Sequence, residues 1–129
     1  MFLKSIKYSE FEGLPNAWYL QKADLENINL LVGRNASGKS RTLSVIASLA
    51  NLLSGIQTFI FDSGHFYVEF FENIDCIIYE LKLSNKIVEK EKLTINDQVV
   101  LSRSRDGKCC ILKWTPTGRQ KEVEFKLVA

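Results

Sequence analysis

Gly33, Gly38, Lys39 and Ser40 stand at the spacing G-x-x-x-x-G-K-S, with Arg34, Asn35, Ala36 and Ser37 between them and Arg41 following. These residue types in this order suit the holding of phosphates. The two glycines adopt backbone angles closed to other residues and bring the chain close to phosphate oxygens. Main-chain N–H groups over residues 35–40 form an anion nest, reinforced by the positive end of a helix that begins there. Lys39 supplies a compact charge for the β- and γ-phosphates, and the Ser40 hydroxyl suits Mg²⁺. The expectation is a site for ATP and Mg²⁺ built from residues 33–41, with Lys39 as its catalytic cation. The plain alternative is a turn whose lysine is incidental, and the strand-then-helix context argues against it. A kinase glycine loop and a dinucleotide-binding turn both need G-x-G-x-x-G, which is absent.

Such a loop must be delivered by a strand and continued by a helix. Residues 27–32 form an almost unbroken apolar run (Ile28, Leu30, Leu31, Val32), as in a strand buried on both faces. After the loop, Leu43, Ile46, Ala47, Ala50 and Leu53 recur at three- and four-residue spacing, predicting an amphipathic helix over residues 39–54 closed by Gly55. Val45, Leu49 and Leu52 widen its apolar face, so the helix is expected to be sandwiched. Two short strands precede the loop, around Phe2, Ile6 and Tyr8 and around Trp18 and Tyr19. Beyond Gln57 the period changes to two, with strand-like runs near residues 66–71, 77–83, 87–88, 93–95, 99–101, 110–114 and 123–127. Short Asn-, Asp- and Gly-bearing links separate them and force antiparallel neighbours. The fold class expected is α+β: a P-loop strand–helix core with N-terminal strands, then an antiparallel β-meander. Residues 1–56 and 57–129 are its two parts within one domain.

With 129 residues the chain fits one domain, and 46% apolar with 25% charged residues is an ordinary globular composition. The start lacks a signal peptide's apolar centre and no run reaches membrane-spanning length, so a cytoplasmic protein without membrane contact is expected. Cys76, Cys109 and Cys110 have neither C-x-x-C spacing nor partners enough for a zinc site, and are expected to be reduced thiols. A net charge of +2 does not by itself call for nucleic acid. Arg103, Arg105, Lys108, Lys113, Arg119 and Lys121 read as a solvated strand-and-turn surface. Trp18 and Tyr19 could stack on a base but fit core packing better, and Phe11, Lys7 and Lys22 carry no sharper assignment.

The run NINLLVGRNASGKS, preceded by FLKSIKYSEFEGLPNAWYLQ and followed by a helix, resembles the first lobe of ABC-type ATPases of the SMC, RecF and overcoming-lysogenization-defect group. The resemblance extends to an antiparallel meander like YELKLSNKIVEKEKLTINDQVVLSRSRDGK. It implies an ATP-binding lobe serving DNA repair, DNA maintenance or antiphage defence, with Gly33, Asn35, Ser37, Gly38, Lys39 and Ser40 as the Walker A positions. The family's other parts are missing: no apolar strand ends in Asp-Glu, no signature S-G-G-x occurs, and His65 and Gln98 are not in the family's switch or Q-loop contexts. Asp62, Glu69, Glu72 and Asp75 read as solvated carboxylates rather than a catalytic base.

Phosphoryl transfer to water needs an oriented nucleophile and a second acidic Mg²⁺ ligand. Hydrolysis is therefore expected only with a further half of the protein or a partner chain, across a homodimer or a completed fold, and the chain is expected to be a fragment or a split subunit. The competing expectation is a non-enzymatic interaction module whose phosphate loop is vestigial. A small nucleotide kinase would need a helical lid, which the strand-rich second half does not offer.

Overall fold

The computed structural model describes residues 2–34, 38–55, 62–105, 108–114 and 120–126, the last two stretches by their backbone alone. Eight strands form one sheet: β1 (Phe2–Glu10), β2 (Trp18–Asp24), β3 (Gly64–Glu72), β4 (Asp75–Ser84), β5 (Ile87–Ile95), β6 (Gln98–Ser104), β7 (Lys108–Trp114) and β8 (Gln120–Lys126). Their spatial order is β2-β1-β3-β4-β5-β6-β7-β8, and every neighbouring pair is antiparallel. Among the described residues a single helix, α1 (Lys39–Leu53), lies in sequence between β2 and β3. No helix among the described residues is long and apolar enough to cross a membrane.

The turn chemistry explains the meander. Asn85 and Lys86 (φ 50° and 62°) join β4 to β5, while Asn96 and Asp97 (φ 48° and 65°) join β5 to β6. Two central residues with positive φ make the hairpin turns whose twist matches that of the flanking strands. Asn96 also ties neighbouring hairpins together: its side-chain oxygen accepts from the Cys76 N–H at 2.9 Å and its amide donates to Asp75 at 2.7 Å. The charged stretch Glu89-Lys90-Glu91-Lys92 does not divide two short strands but belongs to the continuous β5. Alternate charged side chains project to opposite faces while the backbone ladder with β4 continues through them.

One sheet face holds the core. Ile6, Tyr8, Phe66, Val68, Tyr79, Leu81 and Leu83 are buried there together with Val45 and Leu49 of α1. The rows are set by register, Ile6 beside Val68 beside Tyr79, and Tyr8 beside Phe66 beside Leu81. The Tyr8 and Phe66 rings are 4.7 Å apart between centroids. Gly64 admits the first of them: a β-carbon there would stand 3.1 Å from Tyr8 Cε2.

The expected P-loop strand–helix core is overturned. Residues 25–34 form no strand, and the apolar run is exposed, Ile28 at 92% and Leu30 at 88%. A doubly buried strand is made by neighbours on both edges and layers on both faces. Here the antiparallel sheet continues from β1 directly to β3 and leaves no slot for it. The stripe assigned to the helix also changes. Val45 and Leu49 are the buried residues of α1, with Ile46 and Leu52 packed against the core, whereas Leu43, Ala47, Ala50 and Leu53 are exposed. The helix has two apolar faces, and the sheet takes the one that the wider pattern contributes.

Candidate functional site

The first turn of α1 is an amide-rich end with little to neutralise it. Gly38 is its N-cap, left-handed at φ 93° and ψ 12°, with no side-chain cap hydrogen bond and no acidic residue in the first turn. Only glycine takes that conformation without strain. The Gly38 carbonyl starts the helical ladder, accepting from the Thr42 N–H at 2.9 Å and the Thr42 hydroxyl at 2.8 Å. The foremost N–H groups of a helix have no such intrahelical partner, so the end attracts anions.

Three of the predicted site residues gather here. Lys39 is partly buried, and its ammonium donates to the carbonyl of Gly33. Ser40 is exposed at the start of the helix. Arg41 lies over the Trp18 ring, its guanidinium carbon 4.7 Å from the centroid, and is ion-paired with Glu10. Gly33 and Arg34 are exposed in the segment leading to the loop. Asn35, Ala36 and Ser37 lie outside the described residues.

Behind Arg41 stands a layer that sequence spacing did not reveal. Glu10 also accepts a 2.6 Å hydrogen bond from Tyr8. Burial pushes the Tyr8 hydroxyl up to about 12, against the downward pull of the Arg41 charge. Trp18 packs between, its ring 5.9 Å from that of Tyr8 and its Cζ2 3.4 Å from where a β-carbon on Gly38 would be. It is a wall of the site, engaged by Arg41, rather than an open platform for a base. Glu10 and Tyr8 are recognisable only once β1 is placed beside α1. Their sequence signal is the ordinary alternation of a strand.

The carboxylates do not converge on this end of the helix. Asp62 pairs with Lys86 at 3.5 Å, Asp75 accepts from Asn96, Glu69 pairs with Lys22 at 3.6 Å, and Glu72 is exposed at the end of β3. Among the described residues no three histidine, cysteine or acidic side chains are grouped to hold a metal. In the first turn of α1 the Thr42 hydroxyl is bonded to the Gly38 carbonyl and Ser40 is exposed, so Ser40 is the hydroxyl there that a cation could use. Cys76 is a free thiol.

The arrangement combines a helix amide end, the Lys39 ammonium and a braced Arg41 guanidinium. It is suited to binding an anion, and the carboxylate beside it, Glu10, is engaged by the Arg41 ion pair and the Tyr8 hydrogen bond. No family model, curated protein or solved structure matches this chain.

Proposed function

We propose that the segment from Gly33 to Arg41 binds the phosphates of ATP with Mg²⁺, and that hydrolysis depends on a partner chain. The observation that carries this reading is the uncapped, acid-free start of α1 at a left-handed glycine, followed at once by Lys39, Ser40 and Arg41. In this reading the Lys39 ammonium exchanges the Gly33 carbonyl for phosphate oxygens. Its contact with the Gly33 carbonyl supports a lysine already directed toward that segment. Arg41, held by Glu10 and Trp18, contributes a second cation whose side-chain entropy is largely spent before binding. Mg²⁺, when bound, neutralises phosphate charge, and the Ser40 hydroxyl would be its ligand from this chain. A partner supplies the acidic ligand and the base. The exposed apolar run of Ile28, Leu30, Leu31 and Val32 supports an association of that kind. A role in DNA repair, DNA maintenance or antiphage defence is proposed on the resemblance of the loop sequence to SMC- and RecF-type ATPases alone.

A second reading, an interaction module with a vestigial loop, is favoured by the same apolar run and by a Lys39 already satisfied within its own loop. Thermal unfolding with and without Mg-ATP separates the two. A ligand bound only by the native state at a hundredfold excess over its dissociation constant stabilises by about 2.7 kcal/mol. ATP binding predicts a rise in Tm that Lys39→Ala abolishes while leaving the unliganded Tm in place. An unmoved Tm at millimolar Mg-ATP would sink it and leave the interaction module.

A further inference from the structure

The sheet face opposite α1 carries a different chemistry, independent of whether the phosphate loop is used. Register sets its rows: Tyr19, Ser9, His65, Lys82 and Lys90 in one, and Lys7, Tyr67, Glu80 and Lys92 in the next. Along β2, β1 and β3 these side chains border an open groove of ≈ 980 Å³ lined by Lys7, Tyr19, Gln21, Lys22, His65 and Tyr67. That volume is at the upper end of small-ligand pockets, enough for several residues of an extended chain.

The charges on this face are layered. Lys22 is 53% exposed and its partner Glu69 only 16%. Lys90 is 51% exposed above Glu80, again at 16%. In these two pairs the carboxylate lies low between the strands and the ammonium group stands outward, so each presents its cation to an approaching molecule. Lys82 is directly opposite Lys90 across β4 and β5. Each is already offset by a carboxylate, Lys90 by Glu80 at 3.1 Å and Lys82 by Glu89 at 3.9 Å, and the two lysines stay 51% and 43% exposed. Tyr19 and Tyr67 set aromatic surface with hydroxyls between the cations.

We infer that this face docks an extended acidic segment of a protein partner. Two features choose a polypeptide over a nucleic-acid strand. Glu12 is exposed on the groove wall within electrostatic reach of Lys7, His65 and Lys82, where a phosphate chain charged at every residue meets repulsion that separately placed carboxylates avoid. β2 is also the edge of the sheet among the described residues, and an edge strand beside the groove is where the backbone of another polypeptide can pair.

The test uses the full chain and a fluorescein-labelled octapeptide of alternating glutamate and valine, read by anisotropy. Its lysine–valine counterpart and a labelled oligo-dT strand serve as controls. The acidic peptide binds, more weakly as salt rises, and its amide cross-peaks map to Tyr19, Lys22 and Tyr67. Lys22→Glu and Lys90→Glu each weaken it about tenfold, one such step being 1.4 kcal/mol. Both side chains are exposed, and circular dichroism checks that the variants keep the fold. An acidic peptide that fails to bind, or binds the charge-reversed variants equally well, overturns the inference. So does tighter binding of oligo-dT, which would make the face a nucleic-acid surface. Lys39→Ala leaves peptide binding unchanged, so failure here and failure at the phosphate loop are read separately.

Discussion

Arg41 and Trp18 meet across the gap between helix and sheet, the guanidinium carbon 4.7 Å from the ring centroid, with Glu10 ion-paired to the same group. A flexible surface cation is thereby fixed beside the start of α1. Trp18 is the hinge of this arrangement, since it touches Tyr8 on one side and borders Gly38 on the other. Trp18→Ala should destabilise the fold by about 2–3 kcal/mol, somewhat under the usual cost of a fully buried tryptophan because the ring is only partly buried. Urea denaturation measures it, and an unchanged midpoint would show that Trp18 does not brace the helix.

Gly38→Ala places a β-carbon on a residue at φ 93°, with Trp18 Cζ2 3.4 Å away. The left-handed conformation alone costs an alanine roughly 1–2 kcal/mol, and the ring must give way by a few tenths of an ångström. The expected result is a loss of about 2 kcal/mol in chemical denaturation, together with weakened Mg-ATP stabilisation. A neutral outcome would mean that the start of α1 re-forms with a right-handed cap.

Lys86 offers the opposite sign. It holds φ 62° in the turn between β4 and β5, where Asn-Gly is the preferred dipeptide. Lys86→Gly removes the left-handed cost, keeps the N–H bond to the Asp62 carbonyl (2.9 Å) and gives up an ion pair whose two side chains are mostly exposed. Exposed pairs contribute little. After the extra unfolded-state entropy of glycine, a net gain of about 0.5 kcal/mol in stability is expected, visible as a higher Tm.

How far the sequence discloses this fold depends on the range of the interaction involved. The hairpins from β3 to β6 rest on alternation and on Asn-bearing links, which act within a few residues and can be read directly. The helix start at Gly38 and Lys39 is equally local. The run of Ile28, Leu30, Leu31 and Val32 misleads because strand character there measures what neighbours would bury, and the sheet supplies none. The outward Leu43 and Leu53 mislead likewise, since a helix with two apolar stripes does not announce which one the sheet takes. In the candidate site the loop residues are legible from spacing, whereas Glu10 and Tyr8 join Arg41 only through β1 packing beside α1.

Acid stability should depend on Glu80. Burial works to raise its carboxyl, but hydrogen bonds from His65 at 3.0 Å and Lys90 at 3.1 Å, with their charges, outweigh that and hold it below the ordinary glutamate range. A depressed carboxyl stabilises the fold above its unfolded value of about 4.3, and that contribution is lost as pH falls through the lower folded value. Glu80→Gln should be less stable than the parent at neutral pH, with the gap closing below about pH 4. Denaturation midpoints across that range test it. A gap that stays constant would assign the effect to packing instead of charge.

Tyr8 contributes to the alkaline limit, as does the buried Tyr79, whose hydroxyl is pushed up by burial and by its hydrogen bond to Glu91. Its hydroxyl is buried and donates to Glu10, and burial carries its folded value to about 12 although the Arg41 charge pulls it down. A raised folded value means that the neutral phenol stabilises the fold fully below the ordinary tyrosine value of about 10, and that this is lost as pH climbs from there to about 12. Tyr8→Phe leaves a carboxylate oxygen of Glu10 without that donor, which costs about 1 kcal/mol at neutral pH. The same change removes the tyrosinate that would otherwise form beside Arg41, so the variant should lose less of its stability in this alkaline window than the parent does. Absorbance titration of tyrosinate, run alongside denaturation at each pH, follows both effects. If the parent and the variant lose stability in parallel above pH of about 10, Tyr8 does not couple β1 to the helix start, and the bracing of Arg41 rests on Trp18 and the Glu10 ion pair alone.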